Sequence, residues 1–430
     1  MNKEIYAKEL PNGIRVVFLP TRKFKTVSLG FFIHQELRED LASSHALLGE
    51  VLRRGSRRFP DNIAVRRELE RLYGAELATD VLKKGERQLL SFSLSMVHDQ
   101  YGPEIPDLFH RGMALLGSLV AEPLQEGEGF KPDYLDQEKE QLEREIRGLI
   151  NDKTLYAMQR CLSTMCAGER FGIYKLGELE GLATVTPVSL WRYYQEVLSS
   201  NPLELYVVGE VEPERVFDTA ERVFSFDRRP REEPLPATVV NKAVEEVKFK
   251  QEELPVNQAK LILGYRTNIR PGERLFYPLL VYNGVLGGFP HSKLFLNVRE
   301  RASLAYYVHS RIERHKGIMV ISSGIEGANY EQARGIIEEQ VRAIARGEIS
   351  RQEMENTRRG LINQLRTGED NPFQKINLML DQAIGGQGEN TEEMVEKINE
   401  VTAGQVAEVA AGIQLDTVYL LQGREGGSSS

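Results

Sequence analysis

The sequence predicts an α+β protein built from two homologous domains, each a mostly antiparallel β-sheet with helices packed on one face. Three observations predict it. Composition changes at residues 226–246, "FDRRPREEPLPATVVNKAVEE", where three prolines and dense charge interrupt all periodicity, as an interdomain linker does. The same order of elements stands on either side of that stretch, the mark of an internal duplication. In each half, β-rich runs are paired across short charged turns, which makes neighbouring strands antiparallel and leaves a sheet face for helices.

In the first half, residues 1–225, the strand "VSLGFFIH" runs into a helix whose Leu47, Leu48, Val51 and Leu52 form one apolar face. Helical "AVRRELERLYGAEL", the strand pair "ATDVLKKGERQLLSFSLS" and the helix "IPDLFHRGMALLGSLV" follow. The half closes on a helix starting at Thr186 and Pro187, carrying Tyr193 and Tyr194, and on a buried strand stopped by Gly209. The second half, residues 247–425, repeats this order. The strand "AKLILGYR" leads into "LFYPLLVYNGVLGG" and "SKLFLNVRERASL", the strand pair "AYYVHSRIERHKGIMVISSGI", and the helix "NYEQARGIIEEQVRAIARG". A last strand, "DTVYLLQG", precedes a tail, residues 426–430, expected to be disordered.

With 430 residues, 41% apolar and 27% charged, the chain has the make-up of a water-facing globular protein large enough for two or three cores. The net charge of -8 is spread among interleaved acids and bases, which argues against a nucleic-acid partner. The arginines of "RRGSRRF" complement the dipole of the helix they follow. The N-terminal residues lack an apolar core of signal-peptide length, and no run approaches the roughly 20 residues of a membrane span. A cytoplasmic protein is therefore expected. Cys161 and Cys166 are five apart, a spacing of neither a zinc ribbon nor a redox pair, and are expected to be buried thiols.

The stretch "SSHALLGEVLRRGS", residues 43–56, has the outline of a metal-binding helix with only His45 and Glu50 to serve it. Two ligands on one helix must share a face, and a five-residue step separates side chains by roughly 140°. The plain expectation is a helix N-terminus, with Ser43 or Ser44 as cap and His45 in the first turn. His34, His98, His110, His309 and His315 follow no ligand spacing.

The run from Ser44 through "LRRGS", with "LERLYGAELATD" after it, resembles the metal-binding segment of the insulinase and pitrilysin-like zinc peptidases, the inverzincins, whose signature is H-x-x-E-H before a Gly-Thr or Gly-Ser step. Anchored on Gly55 and Ser56, that signature falls on Ala46 and Glu50 for its histidines and on Gly49 for its general base. The segment "YLDQEKEQLEREIRGLINDK" resembles the helix that supplies the third ligand, at Glu145, with Glu138 seven residues earlier. The resemblance therefore implies a degenerate zinc site, no cofactor in this chain and no catalytic residue of its own.

A second stretch, "GGFPHSKLFLNVRERASLAYYVHS", resembles the "SRLF...VRE...GLAY" run of active relatives, whose arginine and tyrosine reach substrate held at the zinc of the other domain. The matching residues are Arg299 and Tyr306, with His291 open between a helix cap and a substrate contact. "FPHSKLF" and "SLAYY" are most similar to the YmfF-like bacterial group, which lacks the signature. The resemblance implies a clamshell half and a sister zinc-peptidase subunit with intact H-x-x-E-H as partner. It also implies a peptide substrate, and a non-catalytic, substrate-binding role in a two-chain metallopeptidase. A peptide-binding scaffold without proteolytic activity is the alternative, and a homodimer is open for the chain in isolation.

Overall fold

The computed structural model describes residues 5–423, so the tail at 426–430 lies outside the described residues. The first elements are β1 (Tyr6–Glu9), β2 (Arg15–Pro20), β3 (Thr26–Glu36), α1 (Glu39–Arg53), α2 (Asn62–Arg71), β4 (Glu76–Lys84) and β5 (Arg87–Val97). There follow α3 (Leu108–Ala121), a small hairpin of β6 (Gln125–Glu126) and β7 (Gly129–Phe130), α4 (Pro132–Gly148) and α5 (Lys153–Met165). Next come α6 (Leu179–Ala183), α7 (Pro187–Ser200), β8 (Leu203–Gly209) and α8 (Pro213–Val223). Beyond the linker stretch lie β9 (Lys248–Glu253), β10 (Ala259–Arg266), α9 (Phe276–Asn283), β11 (Ala305–Glu313) and β12 (Ile318–Ile325). The chain ends with α10 (Tyr330–Ala345), α11 (Arg351–Gly368), α12 (Pro372–Gly385), α13 (Thr391–Glu400), α14 (Ala403–Gly412) and β13 (Gln414–Gln422). No helix among the described residues is long and apolar enough to cross a membrane.

Two compact units result, and their chain boundary at Ala237 and Thr238 falls inside residues 226–246. The partition is not linear, because residues 148–172 pack with the second unit and residues 370–378 with the first. The cause is packing: α5 carries Ala157 and Cys161, fully buried, onto Ile262, Val320, Tyr419 and Leu421 of the second sheet. Ile376 likewise meets Gly30 of β3 so closely that a Cβ there would lie 2.9 Å from its methyl. Neither exchange could be read from order along the chain.

The first unit's sheet runs β1-β2-β8-β3-β5-β4, antiparallel except where β2 meets β8. Alternate residues Leu29, Phe31 and Ile33 of β3 and Leu90, Phe92 and Leu94 of β5 point to one core, which α1, α3, α7 and α8 cover. Phe31 stacks on Phe224 just past α8 at 5.0 Å, and burial of each such ring contributes about 1.5–3 kcal/mol. α7 begins as the sequence indicates, with a capping box between Thr186 and Ser189 and Pro187 at its first position.

The second unit's sheet runs β11-β12-β10-β13-β9, with only β13 and β9 parallel. One face receives α5, and Tyr265 on the opposite face is buried among the charged residues of α10. At the end of β10, Arg266 and Lys316 are wholly buried cations, and both are neutralised. Arg266 donates to Asp416 at 2.8 Å and to Glu169 at 2.7 Å, and Lys316 meets Glu169 at 2.7 Å. A buried charge survives only with such pairing. The two cysteines are free and buried, and burial pushes the Cys161 thiol up.

Candidate functional site

The first region of interest is α1. It starts at Glu39, four residues before Ser43 and five before Ser44, because Arg38 is extended and Glu39 and Asp40 complement the positive helix end. Ser43 and Ser44 are therefore interior residues. The Ser43 hydroxyl instead donates to the Glu178 carbonyl at 3.0 Å and accepts from its N–H at 3.1 Å, fastening α1 to the start of α6. His45 lies mid-helix, with Nδ1 2.9 Å from the Tyr193 hydroxyl. Burial drives its pKa down to about 3, so it packs as a neutral ring.

The degenerate positions have been absorbed into packing. Ala46 and Gly49 are buried in α1, and Leu90, 1% exposed, occupies the space beside Gly49. A Cβ on Gly49 would stand 2.3 Å from Leu90 Cδ1. Glu50 faces a cleft of about 570 Å³ that Glu138 and Glu145 also line. The structure thus brings the second-histidine position and the third-ligand position to one place, with cations among the acids. Glu50 accepts from Thr79 Oγ1 at 2.7 Å and from Arg53 at 2.8 Å. Glu138, nearly buried, accepts from the Arg54 guanidinium, which also lies 5.6 Å from the Tyr134 ring centre. Glu145 is exposed on the cleft wall.

A zinc ion does not fit these residues. Catalytic zinc takes three protein ligands and keeps a position open, whereas two of the carboxylates here are already saturated by guanidinium and hydroxyl donors. No group of three or more His, Cys, Asp or Glu among the described residues could hold a metal ion.

The second region is irregular backbone between α9 and β11. Residues Gly284–Gly288 and Phe295–Arg301 wind as π-helix, a form concentrated at functional sites. Arg299 sits in the second of these turns. Its guanidinium lies 4.7 Å from the Phe295 ring centre, and the nearest carboxylate, Glu300, is 3.7 Å away. Ser303 then adopts φ +52, a left-handed conformation costly for a side-chain-bearing residue. β11 opens with a bulge: Ala305 opposes Ile325 and Tyr307 opposes Gly324, leaving Tyr306 as the extra residue. A bulge re-aims a side chain, and Tyr306 projects with 66% of its surface exposed. It lines a pocket of about 250 Å³ with Ser303, Leu304, Ala305, Glu326 and Asn329.

Of the two readings of His291, the structure bears only on the helix cap. His291 caps no helix: its Nε2 stands 3.2 Å from the Thr357 hydroxyl of α11, and its ring stacks on Phe289 at 5.2 Å. Burial lowers its pKa. Among the described residues no hydrogen bond or ion pair joins His291 to Arg299 or Tyr306.

Comparison with known proteins fixes the ancestry. A family profile described as "Peptidase M16 inactive domain" matches residues 184–361. A Bacillus subtilis protein, "Probable inactive metalloprotease YmfF", is 36% identical over 98% of this chain and all of its own length. The chain belongs to the M16 peptidase family, in its inactive branch. A second Bacillus subtilis protein, "Uncharacterized zinc protease YmxG", is 25% identical over 64% of this chain and 67% of its own. Among solved structures, a conserved protein from Enterococcus faecalis V583 superposes with a TM-score of 0.91 and 28% identity, with both chains covered in full. Ala46, Gly49 and Glu50 offer no imidazole for zinc.

Sequence reasoning missed Thr79, Leu90 and the two arginines that close the old metal position. Arg53 and Arg54 stood in plain view as "RRGS" beside the degraded signature, and a cation next to orphaned acids was the available signal. The π-helical turns and the bulge leave no signal in composition or spacing.

Proposed function

We propose that this chain is the non-catalytic, substrate-binding subunit of a two-chain zinc metallopeptidase that acts on peptides in the cytoplasm. The partner is a sister chain with intact H-x-x-E-H, which holds the zinc, its ligands and the general base. This chain needs no cofactor. Its contribution is Arg299 and Tyr306, a guanidinium and a phenol offered to the scissile carbonyl, whose oxygen gains charge as the tetrahedral intermediate forms. One observation carries the reading. Arg299 and Tyr306 are exposed on strained, irregular backbone, whereas Ala46 and Gly49 are packed into the core and Glu50 is tied to Thr79 and Arg53. Strain of this kind is kept where function requires it. An extended, unfolded substrate is in keeping with strand edges that recognise backbone.

The ion pairs that close the old metal position favour one other reading, a peptide-binding scaffold without proteolytic activity. Co-expression with a sister chain bearing H-x-x-E-H separates the two. The expected result is a complex that cleaves peptides, with Arg299→Ala/Tyr306→Phe assembling normally and losing at least about 100-fold in kcat, the scale of a lost oxyanion donor. A complex whose turnover ignores both residues, or no complex at all, overturns the first reading.

A further inference from the structure

The α5-facing side of β10 carries two cations, and they are treated in opposite ways. Arg266 is neutralised by two carboxylates. Lys260, six residues earlier on the same face, has no carboxylate within 4.0 Å among the described residues. Its ammonium donates to Gln258 Oε1 at 2.7 Å and lies 5.4 Å from the centre of the Tyr307 ring. Both partners orient a cation without cancelling its charge. Burial lowers the Lys260 pKa, with Asp152 opposing.

Lys260 lines a wide-open cavity of about 650 Å³, whose walls also include Asn151, Thr154, Asn257 and Lys153. Asp152 also lines it, and one of its carboxylate oxygens, Oδ1, caps α5 by accepting from the N–H groups of Thr154 and Leu155. The seat is built. Gly324 pairs with Lys260 across the strands, and a Cβ there would stand 2.5 Å from the Tyr307 ring and 2.6 Å from Gln258 Oε1, so only glycine leaves both groups in place. The Thr154 hydroxyl is 3.3 Å from the Tyr307 hydroxyl, which steadies the ring. With Tyr306 taken up by the bulge, Tyr307 pairs with Gly324, which on its other side pairs with Lys260.

We propose that the Lys260 cavity is a carboxylate-binding site for peptides, with Lys260 as the charged donor and the amides of Asn151 and Asn257 and the Thr154 hydroxyl as neutral ones. A partly desolvated ammonium with only neutral partners gains most from an ionised oxygen ligand. The carboxylate is either the C-terminus of the peptide or an aspartate or glutamate side chain. This inference rests on the peptide-binding reading above and adds an anchoring chemistry to it.

The test uses the full chain and fluorescein-labelled random decapeptide pools in three forms: free C-terminal acid, C-terminal amide, and amide with glutamate at the penultimate position. Anisotropy titration should show the acid pool, the glutamate pool or both binding about ten-fold tighter than the plain amide. In Lys260→Met that advantage should vanish while plain-amide binding stays unchanged. Asn257→Asp, which sets a second carboxylate on the wall, should abolish the same advantage and guards against a misfolded Lys260 variant. Whichever of the two pools is favoured identifies the source of the carboxylate. Equal binding of all three pools, or an advantage that survives Lys260→Met, overturns the site and leaves the peptide-binding reading intact. If no pool binds this chain or its complex with the sister subunit, both fall.

Discussion

Restoring the ligands of the zinc signature should not restore a zinc site. The variant Ala46→His/Gly49→Glu/Glu50→His writes H-x-x-E-H back into α1, but the helix is no longer packed to receive it. The first atom added at position 49 would stand 2.3 Å from Leu90 Cδ1, against ordinary contacts of 3.4 Å and more, and Leu90 is 1% exposed in the core. Overpacking of this kind costs about 1–3 kcal/mol. At about 2–4 °C per kcal/mol for a unit of this size, the melting midpoint should fall by roughly 2–12 °C. Arg54 would still engage Glu138 beside the rebuilt site. The assay is calorimetry with chelator present, to remove any stabilisation by bound metal, and elemental analysis after dialysis against zinc. Adding Leu90→Ala should recover part of the lost stability. A triple variant that melts within a degree of the parent and retains one zinc per chain would refute the reasoning.

Two further outcomes follow from buried groups. Arg54→Met strips the partner from Glu138, a carboxylate with 7% of its side chain exposed, and should destabilise the first unit by about 3–5 kcal/mol, the usual cost of leaving a buried charge alone. Urea titration should show it, and Glu138→Gln in the same chain should recover much of the loss. The second concerns pH. His45 has a folded pKa near 3 against about 6.5 unfolded, so between those values the unfolded chain binds the extra proton and stability rises with pH. The contribution is complete above about pH 6.5 and is lost progressively as pH falls toward 3, with a slope of up to about 1.4 kcal/mol per pH unit. His45→Phe should flatten that slope; a slope left unchanged would show that another group carries it.

The duplicated order of elements, the strands from "VSLGFFIH" to "DTVYLLQG", and the start of α7 were legible because alternation and capping are local. The loss of the zinc signature was legible for a simpler reason: alanine and glycine cannot ligate. What filled the vacancy was not. Leu90 lies forty-one residues beyond Gly49 in β5 and reads there as one more apolar position in an alternating strand. The start of α1 was misplaced because "SSH" offers good capping residues, whereas the helix followed the acids at Glu39 and Asp40 and Ser43 was drawn to Glu178, distant in sequence. Membership of α5 in the second unit escaped for the same reason, since helical periodicity shows that a helix has an apolar face and not which sheet receives it.

The extra residue at the head of β11 is taken up there, and the pairing from Tyr307 onward is regular. Deleting one residue between Ser303 and Tyr306 would let the ladder close without a bulge, bringing Tyr306 opposite Ile325 while Tyr307 keeps its place opposite Gly324. The exposed phenol is therefore set by a single backbone kink, and it can be withdrawn by a one-residue deletion that leaves the tyrosine beside Lys260 in register.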